Sequence, residues 1–338
     1  MQTNGDQQAM SHTERPRQGK GHHGPEDQNV QATDKAVRKL VREGRELFRL
    51  GRFQDALSSF LGALELEEFN IYALVGAGDG YRQIKDFASA VVHYEKALSR
   101  EPSNPFALVG LGDAHRGMHR FEKSIEVWQT YLHANPDNVQ VLTRIGDAYR
   151  RTLRFEEGLK AYKEALFHDP INPYALRGKA DCHRGLGNYS EAARAMEEYL
   201  MYHPGNASIL TRLGDVKMRF EDMGGAESAY QEALKAEPGY VYALAGMGEL
   251  LRRRNDLQGA ADCFVKALTS DGGNPKAISS LTELLKSDPA PGVEDRWVVH
   301  IARKALWDNR PDDAAHVVRR LSPEARRRIS DAIKRRPA

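Results

Sequence analysis

The sequence predicts an all-α fold, a solenoid of stacked helix–turn–helix pairs, on three observations. Pro102, Pro136, Pro170, Pro204 and Pro238 recur every 34 residues without a slip. A fixed period in that range marks a row of identical supersecondary units. In register with the prolines runs a column of leucines, Leu40, Leu74, Leu108, Leu142, Leu176, Leu210 and Leu244, and a column of small residues, Gly44, Gly78, Gly112, Gly146, Ala180, Gly214 and Gly248. Within a unit, apolar residues fall at helical spacing in two runs: Leu108 and Leu111, then Phe121, Ile125, Trp128 and Leu132.

Residues 1–35 are rich in Gln, Gly, His, Asn and Asp and nearly free of large apolar residues. Such a stretch cannot offset its ordering entropy, so a disordered tail is expected. His12, His22 and His23 lie in it, and a solvated tail explains them better than a metal site.

Counting each unit to two residues past its proline gives seven repeats: 37–70, 71–104, 105–138, 139–172, 173–206, 207–240 and 241–274. Between the two runs of the third unit, Arg116-Gly117-Met118-His119-Arg120 leaves room only for a tight turn, so the helices of a pair are antiparallel neighbours. Small residues at the eighth and twentieth positions allow the two axes to cross closely. The proline closes each pair, because it lacks an N–H and disfavours helix in the residue before it.

A second period lies over the first. Units beginning at 71, 105, 173 and 241 carry an aromatic at position two (Tyr72, Phe106, Tyr174, Tyr242) and glycine at position six. Those beginning at 139 and 207 carry Thr143-Arg144 and Thr211-Arg212 instead. Each of the latter follows a unit with Tyr131 or Tyr199 at position 27. Alternating packing over 68 residues is expected from 105 to 240, with each tyrosine filling space opposite a Thr-Arg helix.

Past Asn274 the register loosens. Pro275–Lys286 reads as one more first helix, 287–292 as a linker, and three further helices follow, with 295–328 a degenerate repeat around Ala314. The segment 275–338 is thus a helical extension with a basic end, where Arg326-Arg327-Arg328 and Lys334-Arg335-Arg336 contribute to a local charge of +7 from residue 296 onward.

These columns resemble the tetratricopeptide repeat family, whose unit is a 34-residue helix–turn–helix. The matching positions are the fourth, eighth, eleventh (Tyr81, Tyr149), seventeenth (Phe53, Phe87, Phe121, Phe155, Tyr189), twentieth, twenty-fourth (Tyr94, Trp128, Tyr162, Tyr230), twenty-seventh and thirty-second. Glu68 and Gly272 stand where outer prolines would be, and Ala180 where a glycine would be. The resemblance implies a right-handed α-solenoid, a superhelix whose first helices line a concave groove. Positions two, five, six, nine, twelve and thirteen then face the groove, which helical geometry supports, since they lie opposite the packed fourth, seventh and eleventh.

Those positions carry two stripes. The ninth is Asp79, Asp113, Asp147, Asp181, Asp215 and Glu249; the twelfth is Arg82, Arg116, Arg150, Arg184, Met218 and Arg252. Acid and arginine three apart can pair along one helix, and an arginine can also reach the next unit. The stripes read either as a self-neutralising ladder or as donors and acceptors for a peptide. Arg144, Arg177 and Arg212, flanked by Tyr174, add positive charge at positions five and six. A planar guanidinium suits a carboxylate or phosphate, so an acidic peptide segment is expected to dock in repeats 139–240. Of the family's carboxylate clamp, with Lys at five and Asn at nine, only the arginine at six is matched, by Arg144 and Arg212: position five holds Val75, Val109 or Thr143, and position nine an acid.

Net charge is +2, which argues against a general nucleic-acid or membrane footprint. The absence of any apolar run near about 18 residues, and of an apolar N-terminal core, predicts a soluble cytoplasmic protein. Cys182 and Cys263 lie in different repeats and read as small packed side chains. No phosphate-cradling loop, metal-ligand cluster or nucleophile elbow is present, and His115 and His183 fall in the packing column, so no enzyme, cofactor or metal is expected. The expected function is a scaffold for protein interaction. The alternatives are a nucleic-acid-associated adaptor using the basic C-terminus, or self-association through exposed solenoid ends.

Overall fold

The computed structural model describes residues 25–271, 274–286, 297, 300–301 and 323. Among these, every element is a helix. They form two compact units, one up to Met118 and one from His119. The first holds α1 (Pro25–Arg49), α2 (Phe53–Leu66), α3 (Ile71–Gln83), α4 (Phe87–Arg100) and α5 (Pro105–Gly117). The second holds α6 (Phe121–Ala134), α7 (Val139–Arg151), α8 (Phe155–His168), α9 (Pro173–Gly185) and α10 (Tyr189–Tyr202). It continues with α11 (Ala207–Arg219), α12 (Met223–Ala236), α13 (Val241–Arg253), α14 (Leu257–Ser270) and α15 (Pro275–Lys286).

From Ile71 to Val241 the first helices begin at the first residue of each expected repeat. Their starts are fixed by an asparagine column, Asn70, Asn104, Asn138, Asn172 and Asn206, whose side chains accept the backbone N–H three residues on. Each such cap is worth about 0.5–2 kcal/mol over alanine. Before α13 the position is Tyr240, which provides no side-chain cap. The turn inside each pair puts one residue in the left-handed region, glycine at Gly51 and Gly187 but Leu153 in the fourth repeat.

At the N-terminus the expected boundary moves. A tail was expected through residue 35, whereas α1 starts at Pro25. Val37 and Val41 are buried on α2, and Asp34 pairs with Arg38 one turn on. The helix runs on N-terminally beyond its repeat, with proline at the start, where its missing N–H costs nothing. Residues 1–24 and the basic runs of the C-terminus lie outside the described residues. Pro275–Lys286 is the extra first helix expected: Ile278, Leu281 and Leu285 are buried in one cluster with Leu244 and Phe264.

The core is organised by the aromatic at position 24. Phe60, Tyr94, Tyr162, Tyr230 and Phe264 are fully buried. Each lies against the eighth-position glycine of its own repeat; an added Cβ on Gly78 or Gly146 would meet the ring at 2.7 Å. The first four also lie against the sixth-position glycine of the next repeat, Gly76, Gly110, Gly178 and Gly246. The small eighth and twentieth positions do meet: a Cβ on Gly158 would come within 3.2 Å of the Gly146 carbonyl.

A methyl group in this slot must displace backbone or ring. Gly178→Ala should lower stability by about 1–3 kcal/mol, read as a shift in chemical denaturation. In a Tyr162→Met background the same change should cost under about 0.5 kcal/mol, because the ring it collides with is gone. Equal costs in both backgrounds would show that the ring is not the constraint.

Candidate functional site

The acid and arginine stripes form the ladder that the spacing suggested. Within helices, Arg82 pairs with Asp79 at 3.1 Å, Arg116 with Asp113 at 2.9 Å, Arg150 with Asp147 at 2.9 Å and Arg252 with Glu249 at 2.7 Å. Between helices, Arg82 reaches Asp113 at 3.8 Å and Arg150 reaches Asp181 at 4.0 Å.

A partner that the stripe alone did not reveal is the core tyrosine. The hydroxyls of Tyr94, Tyr162 and Tyr230 donate to Asp79, Asp147 and Asp215 at 2.7, 2.8 and 2.8 Å. Burial, and then the adjacent carboxylate, pushes each phenol well above its ordinary pKa. The tyrosine thus joins the core to the exposed end of the first helices. Its signal in the sequence is a pairing of columns: acid at nine with tyrosine fifteen residues later.

Where position 24 is Trp128 or Met196, no phenol is present. Asp181 is instead held by Arg212 of the next repeat, with Arg184 at 3.5 Å. Tyr131 and Tyr199, expected to fill space beside the Thr-Arg helices, accept from the capping amides of Asn138 and Asn206 at 2.9 and 3.4 Å. In the other repeats that amide goes to an acid, Glu67, Glu101 or Asp169. The 68-residue period is therefore an alternation of hydrogen-bond partners.

The three arginines singled out by charge are not equivalent. Arg212 is occupied by Asp181, which is itself buried. Arg144 is half-buried. Arg177 is exposed and stands 5.8 Å from the ring centre of Tyr174, with no acid among the described residues in ion-pair range. Tyr174 is itself 63% exposed. His115 is buried. The Cys182 thiol is buried and pushed up to about 12 by desolvation.

Two cavities open on the face that carries the ladder, each beside a repeat whose twelfth residue is not arginine. In the first unit Phe48 takes that place, and a cavity of about 580 Å³ is lined by Arg45, Tyr72, Val75, Asp79 and Phe106. Arg45 stacks over Tyr72 at 4.9 Å. In the second unit Met218 takes it, beside a polar cavity of about 490 Å³. Among the described residues no helix is long and apolar enough to cross a membrane, and no cluster of His, Cys, Asp and Glu could hold a metal ion.

The acids differ in burial, so their loss should differ in cost. Asp181→Asn, at 10% side-chain exposure, leaves Arg212 without its carboxylate and should cost about 2–3 kcal/mol. Asp147→Asn, at 39% exposure, should cost under about 1 kcal/mol. Urea unfolding of the two variants measures the difference; equal losses would mean that the ladder does not depend on burial.

The family model for the tetratricopeptide repeat matches residues 41–105, 109–157, 143–208 and 211–275. No curated protein matches the chain. Among solved structures, a tetratricopeptide repeat protein from Parabacteroides merdae shares 18% identity at TM-score 0.54, over 73% of this chain and 97% of its own. The C-terminal part of a TPR repeat-containing protein from Cytophaga hutchinsonii shares 14% at TM-score 0.63, over 71% and 99%. PilF from Pseudomonas aeruginosa shares 18% at TM-score 0.52, over 64% and 99%.

Proposed function

Because the chain belongs to the tetratricopeptide repeat family, we propose that it is a non-catalytic scaffold that holds a peptide segment of a partner protein against its first helices. The observation that carries this reading is the column of aromatics at position two. Tyr72, Phe106, Tyr174 and Tyr242 are 65, 73, 63 and 60% exposed, although the residues at position 24 of the same repeats, Tyr94, Trp128, Met196 and Phe264, are fully buried. A large apolar ring kept in water at one repeat position, beside paired polar groups, suits a surface that is completed by a partner.

The cavity between Tyr72 and Phe106 is the natural seat for an apolar anchor of the peptide. Its lining is largely aromatic and aliphatic, with Arg45, Asp79, Glu101 and Asn104 among it to take backbone groups. In the second unit Tyr174 and Arg177 offer a ring and a free guanidinium side by side, which suits an acidic residue of the ligand. Since neighbouring acids and arginines already hold one another, the face is set before the ligand arrives, which lowers the ordering cost of binding.

Ligands selected from a displayed random-peptide library would test this. Tyr72→Ala/Phe106→Ala should weaken their binding by at least about tenfold, the loss typical of a buried aromatic anchor, with an unchanged melting curve. Retained affinity in that variant, and also in Tyr174→Ala/Arg177→Glu, would sink the first-helix face as the binding site.

A further inference from the structure

The second cavity differs in chemistry from the first. Four cations line it, Arg184, Arg219, Arg253 and Lys276, against two acids, Asp215 and Glu249. The cavity lies at one departure in the repeat. Met218 stands where Arg82, Arg116, Arg150, Arg184 and Arg252 stand in other units, so Asp215 has no arginine three residues on. Met218 is buried, with its sulfur 3.6 Å from the Tyr230 hydroxyl, instead of extending a charge across the face.

The two acids, moreover, are already satisfied. Asp215 accepts the Tyr230 hydroxyl at 2.8 Å, and Lys276 stands off at 3.9 Å. Arg252 grips both oxygens of Glu249, at 2.7 and 2.9 Å, so Arg253 is a third donor at 3.4 Å. Arg184 points to Asp181 at 3.5 Å, a carboxylate that Arg212 holds more closely. Among the described residues no acid lies within ion-pair range of Arg219. Each of the four cations is thus unpaired or the weaker partner of an occupied acid. All four line the same cavity, which has room for a ligand group.

We infer that this cavity receives a phosphomonoester group, carried by a phosphorylated serine or threonine of the peptide; the inference rests on the peptide-binding reading above. The charges decide between anions. Four cations against two acids leave a formal +2, which a carboxylate or a nucleic-acid phosphodiester, at one negative charge, would match only in part. A phosphomonoester carries about −1.5 to −2 at neutral pH and three acceptor oxygens, and guanidinium forks suit it in two-pronged fashion. A phosphate here would also draw Arg253 and Lys276 away from acids that do not need them.

The test uses the full chain at fixed ionic strength, with inorganic phosphate as the first probe, followed by ³¹P line broadening. Arg219→Gln/Arg253→Gln removes two exposed donors and should weaken phosphate binding by about tenfold or more, whereas Arg151→Gln, an exposed arginine at the same repeat position outside the cavity, should leave it unchanged. A second probe is a pair of degenerate peptide libraries with a fixed phosphoserine or serine. The phosphoserine set should be retained about tenfold more than the serine set, and this preference should vanish in Arg219→Gln/Arg253→Gln. Phosphate binding that is absent, or equal in the wild type and the double variant, overturns the inference. So does displacement by a short single-stranded DNA as effective as by the phosphoserine library. If phosphate binds at the cavity but neither library is retained, the peptide reading fails and the phosphate site stands.

Discussion

Within each unit the structure depends on a ring clasped between glycines. An aromatic at position 24 fills a slot floored by the glycine of its own first helix and roofed by the glycine of the next. Burial of such a ring is worth about 2–3 kcal/mol. Its larger effect is geometric: the ring thickness sets how closely successive first helices approach, and any side chain beyond hydrogen at positions six or eight would change that spacing. Because the ring is a tyrosine in three repeats, it also carries a hydroxyl from the core to the carboxylate at position nine. Packing and surface electrostatics are therefore one arrangement.

That coupling explains why several columns change together. Where the next repeat carries arginine at position six, the roof glycine is absent and position 24 is Trp128 or Met196, neither of which has a phenol to offer. In the second of these repeats the buried carboxylate that loses the hydroxyl, Asp181, gains Arg212 from that same sixth position. An unpaired buried carboxylate would cost several kcal/mol, so the arginine and the lost phenol must appear together. The phenylalanines obey the same logic. In the first repeat the ninth residue is Arg45, so Phe60 has no acid to serve. In the last, Glu249 is held by Arg252 and Arg253, and Phe264 needs no hydroxyl.

Much of this was legible in the sequence, because a strict period turns each structural requirement into a column. From Ile71 to Val241 the prolines and leucines placed the start of each first helix to the residue, and acid and arginine three apart foretold the ladder. Other features were hidden for physical reasons. The tyrosine–aspartate bond joins two columns fifteen residues apart, and only comparison between columns, not inspection of either, would show it. The asparagine caps lay in plain view at position 34, but a lone asparagine before a helix gains meaning only when its repetition is noticed. The early start of α1 at Pro25 was not legible, because the residues before Val37 are mostly polar and carry no apolar helical period. The three arginines chosen by charge were misleading in one respect: charge counting cannot tell Arg212, already committed to Asp181, from Arg177, which is free of acids.

A repeat array meets a partner through its exceptions. Where the ladder is complete, each acid has a phenol or an arginine, each arginine an acid, and the face is neutral; an incoming charged group must displace a bond already made, for little net gain. Both cavities open where the ladder lapses, at Phe48 and at Met218. One lapse removes charge and leaves rings in water, and the other removes a single arginine and leaves four cations around acids that are already bonded. Selectivity in such a chain needs no new fold or loop. It needs one position in a column to break the rule that its neighbours keep, because the intact neighbours hold the break in a fixed place.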